Sequence, residues 1–180
     1  MSRIGKKPII IPEKVAVEID DGIITVKGPQ GELTWTYPDK IKVGVDGGQI
    51  LIERSGELKI EKALHGLVRS IVSNMVTGVS QGYKKVLEIV GVGYKAQVMG
   101  DKIVLSLGYS HPIEFQLPEG IKASADPKQV QITLLGIDKQ LLGQVAASLK
   151  TLRMPDAYKG KGIRNAGERI KLKVGKAGKK

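Results

Sequence analysis

Trp35-Thr-Tyr-Pro-Asp-Lys-Ile-Lys42 lies over Phe115-Gln-Leu-Pro-Glu-Gly-Ile-Lys122 when the chain is shifted by 80 residues against itself. The same shift superimposes identical residues at five further positions, namely Asp46 on Asp126, Gln49 on Gln129, Ile52 on Ile132, Gly56 on Gly136 and Lys59 on Lys139. Matched polar and turn residues are harder to produce by chance than matched apolar ones. The match therefore indicates two copies of one module, at residues 12–82 and 83–152.

The first copy alternates apolar and polar residues and then changes to a helical period. Alternation predicts five strands, at 15–19, 24–26, 33–37, 41–45 and 50–52. Asp21-Gly22 is typical of a tight hairpin turn between the first two. From Ser55, the predicted N-cap, apolar residues recur at three- and four-residue steps from Ile60 through Leu67 until Gly78, the predicted stop. This pattern predicts one amphipathic helix.

The second copy repeats the same order of patterns. Its predicted strands are 86–90, 94–98, 103–107, 113–117 and 130–134. Asp138 is the predicted cap of a helix that Pro155 prevents from extending. Because the connections are too short for crossover helices, we predict an α+β fold of two tandem copies of one module. Each copy is expected to be an antiparallel sheet covered by a helix, and a basic C-terminal extension comes after them.

The positive charge of the chain is concentrated at its C-terminal end. The formal net charge is +11, yet residues 1–82 carry +1 and residues 83–152 carry +2. Residues 153–180, here called the basic arm, hold 10 basic and 2 acidic residues and so carry +8. Such a distribution is typical of a polyanion binder, because cations that neutralise phosphates release condensed counterions. A merely solubilising tail is the alternative interpretation.

Several classes of function find no support in the sequence. Cysteine is absent, which excludes disulfides and thiolate chemistry and fits a reducing, cytoplasmic compartment. No apolar run is long enough for a signal peptide or a membrane span. His65 and His111 have no metal-type or nucleophile-type companions at useful spacing. We therefore expect no catalysis, no metal and no cofactor.

Gly91-Val-Gly-Tyr-Lys-Ala96 matches one form of the dinucleotide-binding fingerprint. That fingerprint requires a helix to begin at the glycines, whereas the residues from Tyr94 to Val98 alternate and meet a turn at Gly100-Asp101. We therefore expect a strand at this point. The glycines would let it bend, and Tyr94 and Lys95 would be available to a partner.

The segment Met154-Pro-Asp-Ala-Tyr-Lys-Gly-Lys-Gly-Ile-Arg164 predicts a loop that binds RNA. Its glycines allow close approach of the backbone, and Lys159 and Lys161 offer point charges. Arg164 can form a forked contact with a phosphate, and Tyr158 can stack on a base or sugar. A flexible linker into a disordered tail is the alternative.

Three stretches of the chain resemble a known family: Ser2–Ile9, Gly91–Ala96 and, above all, Pro155–Arg164. They resemble the bacterial large-subunit ribosomal protein six family, which consists of two tandem copies of one α+β module. The resemblance covers essentially the whole chain. It implies a structural constituent of the cytoplasmic ribosome that binds 23S ribosomal RNA near the stalk base and the factor-binding region. Neighbouring ribosomal proteins, and translation-factor GTPases nearby, are the other implied partners.

The predicted RNA contacts concentrate in the basic arm. They are Tyr158, Lys159, Gly160, Lys161, Gly162, Arg164, Arg169, Lys171, Lys173 and Lys176 in the arm, Tyr94 and Lys95 in the second copy, and Arg3, Lys6 and Lys7 in the basic N-terminal segment 1–11. Within the arm, residues 155–164 are expected to form a shaped loop and residues 165–180 a plainer electrostatic extension.

Two other classes of function stay open on the sequence alone. A nuclease-type enzyme would need a carboxylate pair to hold a metal, and no clear pair stands out. A protein adaptor would instead use exposed sheet edges, with the basic arm incidental.

Overall fold

The structure is a computed structural model that describes residues 5–175, and these form an α+β fold. The chain divides into two compact units. The first comprises the residues up to Tyr83 together with Ile137–Lys139, and the second comprises Lys84–Gly136 and the residues from Gln140 onward.

The strands and helices succeed one another in nearly the same order in both halves of the chain. The first half contains β1 (Ile9–Ile10), β2 (Ala16–Asp20), β3 (Ile23–Gly28), β4 (Gly31–Thr36), β5 (Ile41–Asp46), β6 (Gln49–Arg54) and α1 (Lys59–Gln81). The second contains β7 (Tyr83–Val90), β8 (Lys95–Met99), β9 (Lys102–Ser106), β10 (Ile113–Gln116), β11 (Ile121–Ala125), β12 (Gln131–Gly136), α2 (Lys139–Leu152) and β13 (Gly162–Asn165).

Each half contains two small sheets, so the prediction of a single sheet per copy is wrong. The sheet orders are β2-β3-β4 and β1-β6-β5 in the first half and β8-β9-β10 and β11-β12-β7-β13 in the second. The repeated proline separates the two sheets each time. Ile41 donates its amide hydrogen to the carbonyl of Pro38, and Ile121 does the same to Pro118, which closes a turn before the next strand. Both turns direct the chain into a new sheet.

One core fills the first unit between its sheets and its helix. Ile24 and Val26 of β3 and Val68 and Val72 of α1 are completely buried in it. The alternating residues therefore fold as predicted, and Asp21 and Gly22 both take the positive φ angles that a primed hairpin turn requires. Two apolar residues of the helical pattern do not reach the core: Ile60 is 66% and Leu67 is 50% exposed.

Both predicted ends of α1 are wrong, for local reasons. Ser55 does not cap the helix, because its amide and hydroxyl both donate to the carbonyl of Lys40. The helix begins at Lys59 instead, and the carboxylate of Glu61 accepts the amide hydrogen of Leu58, 3.1 Å away. Gly78 lies inside the helix, which ends at Gly82 with φ 74°.

Gly78 is explained by packing. A Cβ atom at this position would overlap the carbonyl oxygen of Ile137. Gly143 in α2 offers a matched comparison, because a Cβ atom there meets nothing within 4 Å. The glycine in α1 is thus required by close approach of the backbone, although glycine is otherwise a poor helix former.

Replacing Gly78 by Ala should lower the free energy of unfolding by about 1–3 kcal/mol, because overpacking outweighs the gain in helix propensity. Gly143→Ala should instead be neutral or stabilise by up to about 1 kcal/mol. Urea denaturation of both variants measures the difference. Equal stability of the two variants would contradict the packing explanation.

Candidate nucleic-acid interface

The basic arm begins with a tight turn held by one carboxylate. Asp156 Oδ2 accepts the amide hydrogens of Tyr158 at 3.2 Å and Lys159 at 2.9 Å. Gly160 donates its amide hydrogen to the carbonyl of Asp156, and its φ of 67° suits glycine. The amide of Lys159, with smaller help from that of Tyr158, lowers the pKa of Asp156. The turn therefore presents Tyr158 and Lys159 outward in a defined geometry, and Tyr158 is 59% exposed.

The arm then enters a sheet, which the sequence did not predict. β13 pairs antiparallel with β7, placing Ile163 opposite Ile89 and Arg164 opposite Glu88. Ile163 is completely buried. A Cβ atom at Gly162 would lie 2.6–2.7 Å from the carbonyl oxygens of Met154 and Arg153. Gly162 thus serves close approach to the chain's own backbone.

The outer edge of β13 is closed by the arm itself. The amide of Ile163 donates to the carbonyl of Arg153 at 2.8 Å, and the amide of Asn165 donates to Glu168 Oε2 at 3.0 Å. Both outward-facing donors are therefore satisfied. A partner strand could not use them, which counts against an adaptor acting at this edge.

Arg164 has a partner within the chain. Its Nε donates to Glu88 Oε2 at 2.9 Å, and both side chains are half-buried. The predicted phosphate contact at Arg164 would therefore compete with an existing charge pair.

Glu168 holds the segment after β13 in place. Its Oε1 accepts from Lys150 Nζ at 2.6 Å, and its Oε2 accepts from both the backbone and the side-chain amide of Asn165. The amide of Glu168 returns a bond to the carbonyl of Asn165. The bond from Lys150, followed by the amide of Asn165, lowers the pKa of the Glu168 carboxyl to about 2.

The chain beyond Glu168 turns back onto the turn at Asp156. Lys173 donates its amide hydrogen to the carbonyl of Ala157 at 2.7 Å. A groove of about 510 Å³ lies along this part of the arm and is lined by Glu88, Val90, Lys159, Gly160, Arg164, Gly167, Glu168, Arg169, Ile170 and Leu172. Residues 165–173 of the predicted extension therefore have a defined path.

The predicted cations of the arm differ in their exposure. Lys159, Arg169, Lys171 and Lys173 are exposed, whereas Lys161 is half-buried. Gly160 and Gly162 are buried, and their contact with RNA stays a prediction. Lys176 lies outside the described residues.

The basic N-terminal segment is described only in part. Arg3 lies outside the described residues, and Lys6 and Lys7 are exposed. The carbonyl of Lys7 accepts a bond from Arg69 Nε at 3.2 Å, which ties this segment to α1. Contact of the segment with RNA stays a prediction.

Tyr94 occupies a defined place between glycines. Cβ atoms at Gly91 and Gly108 would lie 2.5 Å and 2.9 Å from its ring, so both glycines make room for it. A strand and no helix begins at Lys95, as expected, and Lys95 is exposed.

Tyr109, which the sequence did not indicate, contacts the start of the arm. The guanidinium of Arg153 lies 5.0 Å from the centre of the Tyr109 ring. Tyr109 also donates its hydroxyl hydrogen to the carbonyl of Leu152. This pair fixes the point where the arm leaves α2.

The histidines do not form a chemical site. His65 is buried and its Nε2 lies 2.8 Å from the carbonyl of Ile52, so it is packed in the first core. His111 is exposed in a loop. Among residues 5–175, no group of three or more histidine, cysteine or carboxylate side chains could hold a metal ion. Neither described helix is both long and apolar enough to cross a membrane.

The residues missed by sequence reasoning are mainly acidic. Asp156, Glu168 and Glu88 orient the arm, yet none of them was among the predicted site residues. A weak signal existed for the first two, because they are the only acidic residues in the 28 residues of the arm. Glu88 could not be found this way, since its partner is 76 positions away.

These features define a two-part α+β protein with a shaped basic surface. The family model described as Ribosomal protein L6 matches residues 11–82 and 90–166. The chain is 60% identical to the large ribosomal subunit protein uL6 of Thermodesulfovibrio yellowstonii. It is 51% identical to the protein of that name from Syntrophomonas wolfei and 50% identical to that from Picosynechococcus sp.. All three alignments cover both chains completely. The chain belongs to the ribosomal protein L6 family, which confirms the resemblance seen in its sequence.

Replacing Lys150 by Met should raise the pKa of the Glu168 carboxyl from about 2 toward 4.5, because Lys150 is the largest cause of its depression. Since the pKa is lower in the folded chain, the stability contributed by ionised Glu168 is fully present above about pH 4.5 and is lost as the pH falls through about 2. A carboxyl ¹³C NMR titration measures both values. Lys102→Met, which removes the same charge beside Glu114, should leave Glu168 unchanged. An unshifted native pKa would contradict the bridge.

Proposed function

We propose that the chain binds 23S ribosomal RNA through its basic arm, near the stalk base and the factor-binding region, and stabilises the folded RNA there. Membership of the L6 family makes it a structural, non-enzymatic constituent of the large ribosomal subunit, in the bacterial cytoplasm. Ribosomal RNA and other ribosomal proteins are accordingly its partners. Translation-factor GTPases nearby belong to the proposal.

The observation that carries this proposal is the groove beside the turn at Asp156. Lys159 from the turn and Arg169 from the later part of the arm line the same groove, and both are exposed. Cations fixed on two segments of one groove can contact successive phosphates of a nucleic-acid strand. The exposed ring of Tyr158 on the same turn adds a stacking surface.

The first half of the chain, residues 1–82, suits a different kind of contact. Residues 1–82 carry a net charge of only +1, which gives little attraction for phosphate. We therefore assign this half to neighbouring ribosomal proteins or to spacing. Lys6 and Lys7, with Arg3 beside them in sequence, supply a smaller basic end that can reach RNA.

Deleting residues 153–180 would not test the arm cleanly. Such a deletion removes β13 and the buried Ile163, so lost RNA binding would be confounded with an opened sheet. Single substitutions at exposed positions avoid this problem.

Lys159→Ala should weaken binding to 23S ribosomal RNA and lower the slope of log affinity against log salt by about 1, because one phosphate contact is lost. Lys171→Ala and Lys173→Ala should behave similarly. Lys42→Ala removes an equivalent exposed charge in β5 and should have little effect. Filter binding across a salt series measures all four. Unchanged slopes in the three arm variants would overturn the proposal.

Replacing Tyr158 by Ala should weaken RNA binding by about 1–3 kcal/mol while leaving the salt slope unchanged, because stacking releases no counterions. Tyr158→Phe keeps the ring and should retain most of the affinity. The same salt series distinguishes the two variants. Equal affinity of Tyr158→Ala and the native chain would show that the ring faces solvent in the complex.

A further inference from the structure

The basic arm contains two carboxylates in a region that is expected to face phosphate. Asp156 and Glu168 each reduce the net charge of the arm, which is +8 over residues 153–180. Simple electrostatics predicts that both oppose RNA binding. Their hydrogen bonds indicate a different effect, and Glu168 gives the clearest case.

We propose that Glu168 is a positioning residue that increases the affinity of the chain for RNA, by fixing the later part of the arm against α2 and β13. This inference rests on the proposed function, because it concerns the same arm. Glu168 itself need not touch RNA.

The two carboxylate oxygens of Glu168 connect three separate segments. Oε1 accepts from Lys150 near the end of α2, and Oε2 accepts twice from Asn165 at the end of β13. The backbone amide of Glu168 also donates to the carbonyl of Asn165, which adds a further bond between these two residues. Both side chains of the charge pair are largely shielded, with exposed fractions of 30% for Glu168 and 28% for Lys150. The carboxylate lines the groove, and its charge is already paired.

The path of residues 169–173 depends on this connection. Arg169 lines the groove directly after Glu168, and Lys173 bonds back to Ala157 in the turn. The segment from Gly167 to Lys173 is otherwise in neither helix nor strand, so little regular structure constrains it. A segment that is ordered before binding loses less conformational entropy on binding, which increases affinity. Glu168 thereby fixes the positions of the exposed cations in residues 169–173.

Two hypotheses about Glu168 predict opposite signs for one substitution. Glu168→Gln removes a negative charge, so an explanation based on charge alone predicts tighter RNA binding. The positioning role predicts weaker binding, because a neutral amide holds Lys150 less well. We expect roughly a tenfold loss of affinity, with an unchanged salt slope, since no cation is removed.

A variant that keeps the negative charge separates the effect of geometry from the effect of charge. Glu168→Asp keeps the carboxylate but shortens its reach by one methylene, so any loss of affinity must come from position. We expect this variant to fall between the native chain and Glu168→Gln. Glu119→Gln, at an exposed position of the second unit, makes the same charge change away from the arm and should bind at least as well as the native chain.

The experiment combines 23S ribosomal RNA filter binding with amide hydrogen exchange on the full chain. In Glu168→Gln, faster exchange should be confined to the amides of Asn165 and Lys173, which donate to Glu168 and Ala157. Exchange in β7 should be unchanged, which distinguishes a positioning role from general destabilisation of the unit.

Equal or tighter RNA binding by Glu168→Gln would overturn the inference, and so would a loss accompanied by faster exchange throughout β7. Neither result would touch the proposed function if Lys159→Ala still lowered the salt slope. If Lys159→Ala, Lys171→Ala and Lys173→Ala all bound as the native chain does, the proposed function itself would fail. The two sets of variants therefore test the inference and the proposed function independently.

Discussion

The pairing of β13 with β7 is the constraint on which the rest of the basic arm depends. Burying Ile163 contributes about 1.5–3 kcal/mol and fixes the backbone on both sides of it. The turn at Asp156 is thereby held between the end of α2 and a strand. The later part of the arm, in turn, starts from a fixed residue, Asn165. Without this strand the same charges would lie on a flexible chain, and their ordering would oppose binding.

Ion pairs with residues outside the arm change which of its charges are available to phosphate, but not their sum. Arg164 of the arm is paired with Glu88, while Glu168 is paired with Lys150, which lies in α2 before the arm begins. Partly exposed pairs of this kind contribute little to stability, because solvent screens them. Their larger effect is to orient the backbone that carries Lys159 and Arg169. The arm thus uses part of its charge to shape itself and the remainder to attract a polyanion.

The repeat and the apolar alternation were sufficient to predict most strands, because alternating Val, Ile and Leu can bury only one face of a sheet. β11 was missed because its Ala123 and Ser124 have low strand propensity, although its counterpart β5 indicated it. β13 was missed because glycine and lysine are also typical of loops. The acidic residues of the site were missed for another reason. Their roles depend on contacts such as Arg164 with Glu88, and no local pattern encodes a pair so distant in sequence.

The two copies share a plan and differ where the second helix ends. Both helices begin at equivalent residues, Lys59 and Lys139, 80 positions apart, but α1 has 23 residues and α2 has 14. The order β5-β6-β1 matches β11-β12-β7, and only the second sheet gains a further strand among the described residues. Residues 73–81, which form the last turns of α1, correspond to residues 153–161, which contain the turn at Asp156. The shorter second helix therefore releases the residues that form this turn, which carries Tyr158 and Lys159.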